Sequence, residues 1–173
     1  AAKRLSSDGF LKCAEAILTT DEGVKVAEAV VKIGRRRCRI VGFAKGAGMI
    51  EPRMKMKSAT MLAFILTDAC VEKKVLDVLT RNCVEETFNR VTVDGDTSTN
   101  DTALVLANGT AGNVAFALKT PDCRRFGAGL WSVMDSLARQ MVADGEGATK
   151  CVRIEIRGAR NDAEARAMAF TVA

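Results

Sequence analysis

The chain has no histidine and no tyrosine, one tryptophan and two prolines among its 173 residues. Each scarcity removes a class of function. Without histidine no Ser-His or Cys-His nucleophile can be assembled, so nucleophilic chemistry would have to take its base from elsewhere. The six cysteines, Cys13, Cys38, Cys70, Cys83, Cys123 and Cys151, form no CxxC pair. With no imidazole to complete a ligand set, no metal is expected. Most of these cysteines sit inside apolar patterns, where a reduced thiol is a small core residue, and a reducing compartment follows. Aromatics are too few, and too little interleaved with basic residues, for a single-strand nucleic-acid binder. No apolar run approaches the ~20 residues of a membrane span. The N-terminal AAKRLSSDG carries no apolar stretch of the signal-peptide kind and reads as a cut inside a longer chain. The C-terminal AEARAMAFTVA stops within a helical pattern. Neither nucleic acid nor membrane is therefore an expected partner.

What is present is an ordinary globular composition, 48% apolar and 27% charged, long enough to bury a real core. The net charge of +5 suits an anionic small molecule. The densest basic run, Arg35, Arg36, Arg37 and Arg39, reads as a solvated turn between strands.

Periodicity predicts a helix over 7–18, capped by Ser7 or Asp8, and a strand over 24–33. GRRR is a turn, and CRIVGFA a second strand. MLAFILT, 61–67, is so uniformly apolar that it predicts a strand buried on both faces. A helix is expected over 71–89, with Val75, Leu76, Leu79, Cys83 and Phe88 inward. A short strand over VTV, 91–93, leads into the acidic loop DGDTSTND, and TALVLANG is a further buried strand. The cleanest helical stripe is Phe126, Leu130, Val133, Met134, Leu137 and Met141, predicting a helix over 124–143. CVRIEIRG, from Cys151, alternates as a strand, and a last helix is capped by Asn161 or Asp162. This mixture predicts an α+β layered fold with helices packed on sheets.

Four segments carry candidate chemistry. AKGAG sets Lys45 before its glycines, the reverse of a phosphate loop, so it is either a tight turn or a lysine presented to a carboxylate. VDGDTSTND, 93–101, mimics a calcium loop, but Thr99 and Val105 occupy the positions that need Gly and Glu, which favours a self-bonded turn. GEGATK holds Glu146 between glycines, where a solvated carboxylate is ordinary and close approach to a ligand is the sharper alternative. TTD, with Thr19 and Thr20, is a helix-ending turn whose hydroxyls could bind a polar substrate.

Taken in order, AILTTD, AKGAGMIEP, ATMLAFILTDA, FNRVTVDGDTSTNDTALVLANG and DGEGATK strongly resemble the glutamate N-acetyltransferase (ornithine acetyltransferase) family of arginine biosynthesis, from about Ala14 to about Ala167. Residues 1–173 then correspond to the central part of such a domain. The resemblance implies a layered α/β/β/α sandwich, here partial, and self-cleavage between Ala59 and Thr60. It implies that Thr60, as a new N-terminus, is the nucleophile. A free α-amine, with a pKa near ~8, can be the base for its own residue's hydroxyl, so no histidine is needed.

By the same resemblance Thr60 carries acetyl from N-acetylornithine to glutamate. Thr19 or its neighbour Thr20, together with Lys45, binds substrate, and Glu146 binds substrate and assists proton transfer. No cofactor is implied, with acetyl-CoA left open as a second acetyl donor. The partner is the chain's own second fragment, in a heterodimer or a heterotetramer. The setting is the cytoplasm, or an organelle matrix in a eukaryote.

Two features set this chain apart. RMKMKS, 53–58, lengthens the connection into Ala59. The family's Thr-Gly oxyanion-hole pair and its substrate-binding Asn and Ser/Thr lie in regions the chain does not contain, so the isolated piece is expected to be inactive or very weak. The competing expectations are an amidase or aminopeptidase with a self-generated N-terminal nucleophile, and an inactive fragment serving as a structural module.

Overall fold

A computed structural model describes residues 9–53 and 60–173. The expected cap at Ser7 or Asp8, the RMKMKS segment beyond Arg53 and Ala59 lie outside the described residues. The elements run α1 (Gly9–Ala16), β1 (Lys25–Ile33), β2 (Arg36–Lys45), β3 (Leu62–Thr67), α2 (Lys73–Glu86), a 3-10 turn (Phe88–Arg90), β4 (Thr102–Ala107), α3 (Pro121–Ala143) and α4 (Asp162–Val172). Among the described residues no helix is long and apolar enough to cross a membrane.

The four strands form one sheet in the order β1-β2-β3-β4. The first three are antiparallel, β1 and β2 joined by a two-residue loop in which Gly34 takes φ +55°. β4 pairs parallel to β3, and such a pair needs a crossover, which α2 supplies. Pairings Lys25↔Ala44, Lys45↔Leu62 and Leu62↔Thr102 set the start of β1, the end of β2 and the starts of β3 and β4 along one end of the sheet.

α3 is the main support. Its predicted stripe, Phe126, Leu130, Val133, Met134, Leu137 and Met141, is buried against Ile33, Cys38, Ile40, Ala44, Ala63 and Ile65. Each such side chain contributes about 1.5–3 kcal/mol through its removal from water. The helix begins at Pro121, ahead of the expected 124: Thr120 accepts from the Cys123 N–H as N-cap, and proline at N1 gives up no hydrogen bond. Close approach to β1 requires Gly129, where a methyl group would lie 2.5 Å from a Val31 methyl.

The α+β class expected from the sequence is what the chain adopts, with one sheet among the described residues backed by α2 and α3. Burial corrects the reading of its inner strands. In β3 only Ala63, Ile65 and Thr67 are buried, while Leu62, Phe64 and Leu66 are half-exposed. In β4 exposed Leu104 and Leu106 alternate with half-buried residues. α2 and α3 cover one face; on the other, α1 sets Phe10 against Phe43, which stacks on Phe64, and beyond that contact the described residues leave an open apolar surface of the sort a second sheet packs against.

Two expected strands do not form. Residues 91–95 instead clip to the glycine-rich loop: the Val93 N–H donates to the Ile50 carbonyl, and Asp94 accepts from the Met49 and Ile50 amides. Residues 151–157 have the alternation of a half-buried strand, but no described strand pairs with them and Val152 is exposed. α4 starts as expected, with Asn161 accepting from the Glu164 N–H.

Candidate active site

The end of the sheet where β2 stops and β3 starts gathers all four candidate segments. They are tied together by carboxylates and backbone amides. Asp21, at the end of TTD, accepts from the Gly46 N–H at 2.6 Å and from Lys25 Nζ at 2.6 Å. Lys25 also meets Asp144, just past the C-terminus of α3. Lys25 and Asp21 are almost wholly buried, so this is an ion triad inside the fold that fixes TTD, the glycine-rich loop and the end of α3 relative to one another. Burial is the largest single influence on the Asp21 carboxyl and pushes it up. The Gly46 amide, the Lys25 ammonium and the Thr19 amide together outweigh it and hold the carboxyl below its ordinary value.

The triad positions Lys45 and Glu146. Lys45 is the last residue of β2, half-buried, with Nζ 3.5 Å from Thr19 Oγ1. Thr20 is exposed beside it. The backbone of Glu146 is anchored by its N–H to the Ala47 carbonyl at 2.8 Å. Its exposed carboxylate lies over Gly48, where a Cβ would be 3.0 Å from it, so glycine is what lets the two approach. The loop between carries strain at Met49, whose φ is +51°, held by the two amide bonds to Asp94.

Thr60 lies just before β3, half-buried. Its N–H donates to Asp101 Oδ1 at 2.9 Å, and the Met61 N–H donates to the same oxygen at 2.8 Å. Its hydroxyl donates to Ser98 Oγ at 2.5 Å, and Ser98 Oγ in turn accepts from the Asn100 N–H. Asp101 and Ser98 are both buried, and among the described residues Asp101 Oδ2 has no hydrogen-bond partner.

Thus Thr19 and Lys45 meet directly, Glu146 flanks their loop, and Thr60 stands at the same sheet end, two residues before the partner of Lys45. The sequence reading named neither Asp101, Ser98 and Asp94 nor the Lys25 triad. The self-bonded turn it foresaw over 93–101 exists, in the Asp94–Asp96 and Ser98–Asn100 bonds, but its other groups reach across to Thr60 and to the glycine-rich loop. The signal was the alternation of Asp, Ser and Thr itself.

The profile of the ArgJ family matches residues 1–173. The arginine biosynthesis bifunctional protein ArgJ of Desulfotalea psychrophila is 48% identical over 169 residues, which cover 98% of this chain and 42% of that protein. The protein of the same name from Nitratidesulfovibrio vulgaris is 50% identical over 159 residues, covering 92% and 39% respectively. The crystal structure of an arginine biosynthesis bifunctional protein argJ from Bacillus halodurans superposes with a TM-score of 0.63 at 44% identity, covering 65% of this chain and 53% of that one. The chain spans about two fifths of the length of these curated relatives.

Proposed function

The chain belongs to the ArgJ family, and from that premise we propose that the natural-length protein transfers acetyl from N-acetylornithine to glutamate in arginine biosynthesis, through an acetyl ester on Thr60. The observation that carries this reading is the setting of Thr60. Its hydroxyl is half-buried at the edge of the core, and its nitrogen and oxygen each have one dedicated partner. Lys45, Thr19 and Glu146 border the same end of the sheet.

In this mechanism the bond between Ala59 and Thr60 is cut first, freeing the Thr60 amine. The amine takes the hydroxyl proton as Thr60 Oγ1 attacks the acetyl carbonyl. Ornithine leaves, glutamate enters, and its α-amine takes the acetyl group in a ping-pong cycle. Lys45 supplies a positive charge for a substrate carboxylate, Thr19 a hydroxyl beside it, and Glu146 a carboxylate for a substrate amine or a moving proton. The donors that stabilise the oxyanion belong to the longer protein. No cofactor enters the cycle, and acetyl-CoA remains a candidate second donor. The two fragments stay together as a heterodimer or heterotetramer, in the cytoplasm.

The test is transfer by the natural-length protein and its Thr60→Ala variant, with and without glutamate. Transfer that requires both glutamate and Thr60 supports the reading. Ornithine release that ignores glutamate would point to a hydrolase, and equal transfer by Thr60→Ala would remove Thr60 as nucleophile.

A further inference from the structure

The orphaned oxygen of Asp101 asks for a cation. Asp101 is buried, its Oδ1 already serves the amides of Thr60 and Met61, and among the described residues its Oδ2 has no donor. Buried polar groups are almost always paired, and an unpaired carboxylate oxygen is among the costliest exceptions. The atom that Asp101 holds, the Thr60 nitrogen, is the one that gains protons if the chain is cut before Thr60. We propose that Asp101 is a catalytic residue of both stages, binding the Thr60 nitrogen as it passes from amide to ammonium, and that Ser98 orients the attacking Thr60 hydroxyl. This rests on the reading of Thr60 as a self-generated nucleophile.

Thr60 Oγ1 bonds to the carbonyl carbon of residue 59, the C–N bond breaks, and the hydroxyl proton ends on the departing nitrogen. Water then adds to the ester and returns the Thr60 hydroxyl. Residue 59 becomes a carboxylate, and its proton completes the ammonium. One water is consumed, and one carboxylate and one ammonium appear. An amide nitrogen gives Asp101 one N–H, whereas an ammonium gives up to three, enough to satisfy Oδ2 as well. The intact chain thus leaves Asp101 under-satisfied, and cleavage relieves it. Before attack Ser98 Oγ accepts a hydrogen bond from the Thr60 hydroxyl and so fixes the direction of its lone pairs.

The same carboxylate acts in the opposite sense in the second stage. An opposite charge beside an amine favours its protonated form. The Thr60 amine must shed that proton to act as base, so Asp101 moves the acid limb of acetyl transfer to higher pH. Other charged groups face this end of the sheet. Lys45 on β2 opposes the effect, and Glu146 beyond Gly48 adds to it. Asp21, Lys25 and Asp144 are paired among themselves, as are Glu51 and Arg53. Asp94 is occupied by the Met49 and Ile50 amides, and Asp96 lies in the loop of Asp101. Of these groups only Asp101 hydrogen-bonds the Thr60 nitrogen.

The experiment uses the natural-length protein in two forms. In the first, cleavage of the parent, Asp101→Asn and Ser98→Ala is followed by intact mass. Asparagine keeps the shape and an acceptor oxygen but removes the charge, and about a tenfold or greater slowing is expected. In the second, the two fragments are co-expressed, the latter starting Met-Thr60 so that methionine removal exposes the amine without self-cleavage. The pH profile of kcat/KM for acetyl transfer should then have its acid limb about 1–3 pH units lower in Asp101→Asn than in the parent.

Parental cleavage by Asp101→Asn overturns the inference, and so does slowed cleavage with an unmoved acid limb, which would mark a merely structural residue. If Asp101→Asn does not fold, the pre-cut parent decides alone: its limb should lie above the ordinary α-amino value of about 8, and a limb at or below it overturns the inference. Thr60→Ala separates the layers, because loss of transfer there with a parental Asp101→Asn refutes only the role of Asp101. Retained transfer in Thr60→Ala refutes the underlying reading.

Discussion

Replacing Lys25 with methionine tests the frame on which the site is built. Methionine keeps most of the volume and removes the charge, leaving Asp21 and Asp144 facing each other without their shared cation. Lys25 is 2% exposed and Asp21 fully buried, so solvent cannot take over that role. Removing one partner of a buried ion pair costs about 3–5 kcal/mol. For a chain of this size each kcal/mol moves the thermal midpoint by about 2–4 °C, so Lys25→Met should lower it by roughly 6–20 °C at neutral pH.

The pH dependence follows from Asp21. Its folded carboxyl is held below the ordinary value, so its stabilisation is complete above the unfolded-state value and is lost as pH falls through the depressed one. The gap between variant and parent should therefore narrow below about pH 4. The control is Lys73→Met, which breaks an exposed Lys73–Asp77 pair and should cost no more than about 1 kcal/mol. Thermal unfolding of both variants across pH reads the result. A Lys25→Met midpoint no lower than that of Lys73→Met would refute the claim that the buried triad holds the loops together.

Gly129→Ala should destabilise, because its methyl group would sit 2.5 Å from Val31 Cγ1. Overpacking of about 1–3 kcal/mol exceeds the ~1 kcal/mol by which alanine is the better helix former. Adding Val31→Ala should restore most of the loss, and a neutral Gly129→Ala would reject the packing. Gly48→Ala should push the Glu146 carboxylate off its position, 3.0 Å from the new Cβ. The carboxylate must give by a few tenths of an ångström, so kcat/KM should fall by up to about tenfold, with an almost unchanged thermal midpoint; unaltered kinetics would show that Glu146 needs no such placement. The Cys83 thiol is pushed up to about 12, by burial first and the Glu86 charge second. It should resist alkylation at pH 8 until the protein unfolds, and modification in the native state, read by peptide mass, would contradict that burial.

Much of the scaffold was legible because its signals are periodic. The Phe126–Met141 stripe, the β1–β2 hairpin turn at Gly34 and the Asn161 cap each follow from local pattern and formed as expected. What failed depended on partners. Alternation in 151–157 names a strand only if another strand lies beside it, and the apolar outer residues of β3 and β4 do not show how many layers cover them. The site divides in the same way. Lys45, Thr19, Glu146 and Thr60 came from resemblance to a known pattern. Asp101 and Ser98 looked like members of a self-bonded turn, because nothing local tells whether an Asx side chain bonds its own backbone or that of residue 60. Lys25 sits in VKVAEAVVKI with no local sign that two carboxylates will bury it.

The account stands on Thr60 becoming an N-terminal residue that carries acetyl. The most direct measurement is intact and peptide mass of the natural-length protein, incubated with N-acetylornithine and no acceptor. The account predicts a fragment beginning at Thr60 that gains the mass of one acetyl group on that residue and loses it when glutamate is added. A protein that turns over while still uncut before Thr60, or that carries the acetyl group on another residue, would contradict it.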